Sequence, residues 1–403
     1  MSKLDELIKE FCPVGVEYKS LNTICKFQNG FAFKSNKFTD SGYPILRITN
    51  INNGKLSNDA HAYFSKDDYT ENLEQYKVKK HNIVVAMSGA TTGKIGYNYS
   101  DKTYYLNQRV GMFLPYLERL NNRFLYHWLL SKSTDILNVS SGTGAQPNLS
   151  SVKMMEFKIP LPPLPVQEEI VRILDNFTEL TTELTTELTA RKRQYEYYRD
   201  SLLINNKNHN RVKLKTVVKK SYSGTTPNKG NSEFYLNGTI PWLRTQDVKF
   251  NEIFKITSFI TEEAVKKTPA KWIPMNCVIV AISGATAGRC AINKIPTTTN
   301  QHCYNMQIDE TKALYKYIYY CVCSQYEELL SKKQGARGDL NSSLITGIEI
   351  PLPLIEEQQR IVDILDRFDT LCNDISQGLP AEIKERQQQY EYYRDKLLTF
   401  PKI

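Results

Sequence analysis

Two glycine-rich turns carry the first chemical signal, because a glycine turn ending in a cation is a common way for a backbone to hold phosphate. Ser88-Gly89-Ala90-Thr91-Thr92-Gly93-Lys94 and Ser283-Gly284-Ala285-Thr286-Ala287-Gly288-Arg289 share order and spacing. The first is one residue short of the nucleotide-binding pattern G-x-x-x-x-G-K-[ST], and Ile95 stands where that loop needs a metal-binding Ser or Thr. The second replaces Lys by Arg. A nucleotide site is therefore not supported. The reading favoured is a turn on an edge that faces a phosphate-bearing partner, with Ser88, Thr91 and Lys94, and their counterparts Ser283, Thr286 and Arg289, near phosphate. A purely structural hairpin is the alternative.

Asn107-Gln108-Arg109 pairs with Asn300-Gln301-His302. Amides and guanidinium groups make two-point contacts to base edges or phosphate, so Asn107, Gln108, Arg109, Asn300 and Gln301 are candidate DNA contacts. Strand-edge hydrogen bonding inside the domain is the competing role. Arg47 and Arg244 match by position and suit either DNA contact or a structural ion pair. Around the divergent segments Gly30-Phe31-Ala32-Phe33 and Gly224-Thr225-Thr226-Pro227, Lys34, Thr225 and Thr226 complete the set. Gln146 and Arg337 lie in turn-rich loops that otherwise agree, so they are candidate base readers, against plain surface loops. No Asn/Asp-Pro-Pro-Tyr methyltransferase motif, paired acids or Ser-His-Asp set stands out, so nucleophilic or metal chemistry has no positive support. None of the eight cysteines forms a C-x-x-C pair, and they read as reduced and mostly buried.

The elements that must position these residues occur twice. Ile159-Pro160-Leu161-Pro162, Gln167 and Ile170-Val171-Arg172-Ile173-Leu174-Asp175-Asn176-Phe177 return 191 residues later as Ile350-Pro351-Leu352-Pro353, Gln358 and Ile361-Val362-Asp363-Ile364-Leu365-Asp366-Arg367-Phe368. Gln194-Tyr195-Glu196-Tyr197-Tyr198-Arg199-Asp200 returns 195 residues later as Gln389-Tyr390-Glu391-Tyr392-Tyr393-Arg394-Asp395. Apolar runs at 43–48 and 82–87 predict strands, and 119–137 and 312–331 predict helices. The prolines after Ile159 hold the chain extended to about residue 166, after which Ile170, Ile173, Phe177, Leu180 and Leu184 fall at coiled-coil spacing. Leu188 comes four residues later, a stutter made by the repeated Thr-Thr-Glu-Leu, and Tyr195, Tyr198 and Leu202 resume the seam. The second stripe meets a break at Gly378-Leu379-Pro380. The expected fold is α+β: two similar globular domains separated and joined by two long antiparallel coiled-coil helices. The boundaries read as 1–163, helix 164–204, linker 205–210, domain 211–353 and helix 354–403.

These phrases, with Cys12-Pro13-x-Gly15-Val16-Glu17 and Gly378-Leu379-Pro380-Ala381-Glu382-Ile383, resemble the DNA-specificity subunits of type I restriction-modification enzymes over essentially the whole chain. The resemblance implies two target-recognition domains, each reading half of a bipartite site in double-stranded DNA, with no catalytic role of their own. It implies helices that set the spacing of the half-sites and dock two modification subunits, which carry the methyltransferase chemistry. Restriction subunits join in the full complex. No cofactor is expected. Off-seam Tyr197, Arg199, Tyr392 and Arg394 are candidate docking residues, since Arg and Tyr are common interface anchors.

The net charge of +9 fits an acidic partner, although charge of this size is weak on its own. The sequence contains no apolar signal core and no run long enough to cross a membrane, so a cytoplasmic protein is expected. A coiled-coil adaptor that ignores DNA and a solitary DNA-modifying enzyme with a divergent site stay open as alternatives.

Overall fold

The computed structural model describes residues 2–52, 54–57, 62–141, 147–204, 210–332, 339–374 and 376–403. The chain forms two compact units, Met1–Leu184 with Glu382–Ile403, and Thr185–Ala381.

In the first unit, Ile83–Ala86 is buried at every residue. A continuous apolar run rather than an alternating one is what a strand covered on both faces requires. Ile83 and Val85 pack on one side against Phe124, Leu125, Trp128 and Leu129 of helix α1 (Asn122–Ser131). Val84 and Ala86 pack on the other against Leu46, Tyr104 and Leu106. The strand lies in a six-stranded sheet ordered Cys25–Asn29, Val110–Pro115, Ile83–Ala86, Ile95–Tyr97, Gly54–Leu56, Ile51–Asn52. A four-stranded sheet, Ala62–Phe64, Tyr43–Leu46, Tyr104–Leu106, Lys77–Val78, forms the next layer. Asn121 caps α1 by accepting from the N–H groups of Arg123 and Phe124.

The second unit repeats the layering. Val278–Ala281 is again buried throughout, in a five-stranded sheet ordered Val218–Ser223, Cys303–Ile308, Val278–Ala281, Cys290–Asn293, Asn251–Ile253. A separate three-stranded sheet is ordered Phe259–Ile260, Ile240–Leu243, Thr298–Thr299.

The helices predicted as single over 119–137 and 312–331 are each two. The first is α1 followed by Ser133–Asn138, and the second is Tyr315–Ser324 followed by Tyr326–Ser331. Lys132 and Gln325 sit at the matching breaks with φ near −100° and ψ near +10°, outside helical geometry, while their N–H groups still close the preceding turn.

The long helix α2 runs from Leu164 to Leu203 without interruption through the Thr-Thr-Glu-Leu repeat. It begins at residue 164, the boundary read from the sequence, but the strap is not extended as far as residue 166: Pro165 lies in the first helical turn, where a missing N–H costs nothing. The second helical stretch is broken as predicted, into α3 (Ile355–Asn373) and α4 (Leu379–Leu397). Ile375 of the predicted stripe lies outside the described residues. In the first unit Phe177 stacks on Tyr393 at 5.3 Å, and Tyr390, Leu398 and Phe400 enter the core. In the second unit Tyr198 stacks on Phe368 at 5.6 Å. The seam is not uniform: Ile170 is fully buried against the first unit's core, as is Leu174 off the seam, whereas Leu180 is 43% exposed. The first turns of α2 are oriented by the domain they pack on, not by a helical partner alone.

One glutamine per unit ties strap, helix and domain together. Gln167, fully buried, accepts from Asn121 N–H at 2.8 Å and donates to the carbonyls of Arg119 (2.9 Å) and Pro162 (2.7 Å). Gln358, also fully buried, accepts from Leu314 N–H at 2.9 Å and donates to Lys312 O (3.3 Å) and Pro353 O (2.9 Å). Beside the first clamp, Asp175 Oδ1 accepts from Arg123 Nε at 2.7 Å and His127 Nε2 at 2.9 Å, while Tyr390 OH donates to His127 Nδ1 at 2.9 Å. Neutral imidazole with its proton on Nε2 satisfies both of its contacts. In the second unit Asp366 takes Tyr320 OH at 2.5 Å and Lys316 Nζ at 2.8 Å.

Two outcomes follow from these contacts. Gln167→Leu keeps the volume but strands one N–H and two carbonyls, and should lower stability by about 3 kcal/mol in chemical denaturation; a loss under about 0.5 kcal/mol would remove the clamp's importance. Burial holds the His127 imidazole below its ordinary value, with Asp175 opposing. The unfolded chain therefore takes a proton below pH ~6.5 that the folded unit accepts only at lower pH. This contribution is complete above that pH and is lost as pH falls. Denaturation midpoints from pH 7.5 to 5.5 should drop less in His127→Gln than in the parent chain, and equal slopes would count against it.

Candidate nucleic-acid interface

The Asn-Gln-X triplets follow the strands Tyr104–Leu106 and Thr298–Thr299, and the same backbone bonds hold both. Asn107 N–H donates to Leu46 O at 3.1 Å, and Asn300 N–H to Leu243 O at 3.0 Å. The Asn107 side-chain oxygen accepts from Arg109 N–H at 3.3 Å, and that of Asn300 from His302 N–H at 3.2 Å. The Arg109 carbonyl accepts from Met87 N–H at 2.8 Å, and the His302 carbonyl from Ile282 N–H at 2.9 Å. The two asparagines thus serve the strand-edge role while fixing their neighbours, and Gln108, Arg109 and Gln301 are exposed.

Arg47 and Arg244 lie one residue beyond the strands Tyr43–Leu46 and Ile240–Leu243. Each backbone is pinned by a turn: Arg47 N–H donates to Asn50 Oδ1 at 3.0 Å, and Arg244 N–H to Asp247 Oδ2 at 2.9 Å. The Arg244 guanidinium sits 5.8 Å from the Trp242 ring centre, and its Nε is buried without a hydrogen-bond partner among the described residues.

The glycine turns close identically. Gly93 N–H donates to Ala86 O and Gly288 N–H to Ala281 O, both at 2.8 Å, and both glycines have positive φ (80° and 89°) that a side chain would strain. Thr91 Oγ1 donates to Ile48 O at 3.2 Å, linking the first turn to the Arg47 segment. Lys94 is exposed and Arg289, Ser283 and Thr286 are half-buried. Ser88 Oγ is buried without a partner among the described residues. Gln146 and Arg337 lie outside the described residues, but the chain that follows each returns to the same place: Leu149 N–H donates to Met87 O and Leu340 N–H to Ile282 O, both at 2.8 Å. Met87 and Ile282 therefore join the turn, the triplet and the post-loop segment in each unit.

The second unit gathers four of the candidates in one cleft of about 760 Å³. Thr226, Arg244, Asn300 and Gln301 line it with His302, Trp242 and Tyr235. The Thr226 hydroxyl donates to the Gln301 side-chain oxygen, and Thr225 N–H donates to Thr299 O at 2.8 Å. In the first unit the matching segment carries rings instead: Phe31 packs on Phe33 (4.9 Å), Tyr76 (5.3 Å) and Tyr69 (5.6 Å). Lys34 is exposed beside this cluster, its N–H donating to Tyr69 OH at 3.1 Å.

The docking candidates behave alike in the two units. Tyr197 and Tyr392 are 70% and 63% exposed. Arg199 pairs with Asp200 and Arg394 with Asp395, both at 2.8 Å, each lying over the ring of Tyr195 or Tyr390. Sequence reasoning missed the cleft wall of Trp242 and Tyr235, and the clamp and acid residues Gln167, Gln358, Asp175 and Asp366. The last four were visible as repeated letters whose job needed coordinates.

Among the described residues no cluster of His, Cys, Asp and Glu could hold a metal ion, and no helix is long and apolar enough to cross a membrane.

The type I restriction modification DNA specificity domain matches residues 13–191 and again 206–385. The chain is 40% identical over 291 residues to the Escherichia coli type I restriction enzyme EcoR124I/EcoR124II specificity subunit, covering 70% of this chain and 71% of that one. It is 31% identical over 355 residues to a putative type I restriction enzyme specificity subunit of Haemophilus influenzae, covering 84% and 88%. In fold it is similar to the type I restriction-modification S subunit from M. genitalium, at 15% identity and a TM-score of 0.57 over 95% of this chain and 96% of that one. A chain from a type I R-M system solved in a study of complex assembly is also similar, at 17% identity and a TM-score of 0.62 over 96% and 98%. With one such domain in each repeat, as recognition of a bipartite DNA target requires, the chain belongs to the type I restriction-modification DNA specificity subunits.

Proposed function

We propose that each unit reads its half-site through the edge where the glycine turn, the Asn-Gln-X triplet and the strand-end arginine meet. The observation that carries this reading is the recurrence of one hydrogen-bonded frame around Arg47, Asn107 and Gln108, and around Arg244, Asn300 and Gln301. Shared residues suit contacts to the sugar-phosphate backbone, which position a protein without reading sequence. Lys34, Lys94 and Arg289 add positive charge, with Ser88, Thr91, Ser283 and Thr286 as hydroxyl partners for phosphate, and Thr225 and Thr226 shape the second unit's cleft. Gln146 and Arg337, which differ within loops that otherwise agree, enter as base readers. The chain itself performs no catalysis. Two modification subunits dock on the helices, with Tyr197, Arg199, Tyr392 and Arg394 among the anchors, and restriction subunits complete the assembly.

The test is methylome sequencing of cells that express the chain with its modification subunit. A new bipartite methylated motif with a fixed spacer is expected. A purified complex that leaves no such motif would support an adaptor instead. Lys94→Ala and Arg289→Ala should each weaken DNA binding about equally on all sequences and lower the slope of log K against log salt by about 1. Unchanged slopes would remove both from the phosphate contacts.

The uninterrupted α2 also supports a spacing role for the Thr-Thr-Glu-Leu repeat. Four helical residues add ~6 Å and a net turn of ~40°. One base pair of DNA adds ~3.4 Å and ~36°. Deleting Thr181–Leu184 should shorten the preferred spacer by about one base pair and leave both half-sites unchanged. An unaltered spacer in the methylated motif would end the idea.

A further inference from the structure

Within the shared frame, one side chain differs at a position whose backbone does not. Arg109 and His302 follow identical Asn-Gln pairs, and each gives its N–H to the asparagine oxygen two residues before it. Their carbonyls accept from Met87 and Ile282, and the next residues, Val110 and Cys303, donate to the asparagine carbonyls at 2.8 and 3.1 Å. The backbone therefore presents residue 109 and residue 302 from the same place in each unit. In the second unit His302 lines the cleft with Arg244, Asn300, Gln301 and Thr226.

Two domains that read different sequences cannot discriminate with the residues they share. Discrimination has to come from positions that vary inside the common frame. We infer that residue 302, with its counterpart 109, is a base-selecting position. An Arg side chain there can fork onto the O6 and N7 acceptors of guanine in the major groove, a two-point contact that an imidazole cannot make. His302 offers a single donor or acceptor, so the second unit places a different demand on its base pair. The neighbouring difference works in the same direction: Thr226 holds the Gln301 amide in the cleft, whereas the first unit has Ala32 at the matching position. This assignment rests on the reading of each unit as a half-site reader.

The experiment is a reciprocal exchange in the full chain, co-expressed with its modification subunit and read by methylome sequencing. His302→Arg should shift the preference at one base pair of one half-site toward guanine by roughly 10-fold or more, with the other half-site and the spacer unchanged. Arg109→His should relax one guanine preference in the opposite half-site. A motif identical to the parent's for both variants would overturn the assignment. So would a uniform loss of methylation by both variants with the subunit complex intact on size exclusion, which would make the position one that only orients the DNA. A parent chain that yields no bipartite motif would instead sink the half-site reading itself, and that is seen before either variant is made.

Discussion

In each unit a buried glutamine amide makes three hydrogen bonds that nothing else among its neighbours could replace together. Gln167 and Gln358 each cap the approach to a domain helix with the amide oxygen, and each hold the proline strap and the preceding loop with the amide nitrogen. A buried N–H or carbonyl left without a partner is costly, so the strap, the domain helix and the long helix can be together only in one arrangement. The way the first turns of α2 pack on the first unit, and those of α3 on the second, follows from that constraint. So does the burial of Ile170 and Leu174, and of Ile361 and Leu365, against their respective cores.

The acid about two turns further along the helix reinforces the clamp with different partners. Asp175 receives Arg123 and His127, whereas Asp366 receives Tyr320 and Lys316. The helix supplies the same carboxylate twice, while the domain answers it with different side chains. The same division runs through the candidate interface. The backbone frame and the asparagine amides recur, and the residues that could tell one base pair from another do not. Duplication followed by divergence of the exposed positions is physically cheap, because those positions carry few of the contacts that hold the layers together.

Much of this was legible in the residue order. The repeated Ile-Pro-Leu-Pro and Gln-Tyr-Glu-Tyr-Tyr-Arg-Asp phrases, the helical stripes and the break before Leu379 are local patterns, and local patterns follow from backbone geometry and side-chain periodicity. The apolar run at 82–87 read as a strand, while the burial of Ile83–Ala86 and of Val278–Ala281 at every residue came from the layers packed around them. The breaks at Lys132 and Gln325 were not legible, because neither residue is a helix breaker and the turn is set by what the helix meets.

What the sequence by itself determined is therefore the two-fold plan, its element types and the pairing of residues between halves. What only the tertiary structure decided is which of those residues meet. Thr226, Arg244, Asn300 and His302 are spread over 77 positions of the chain, yet line one cleft. Phe31 and Phe33 fill the matching segment of the first unit with rings. Likewise, Tyr390 belongs to the C-terminal phrase but hydrogen-bonds His127. Contacts of that kind depend on how separate elements pack, and packing is a property of shapes brought together in space rather than of spacing along a chain.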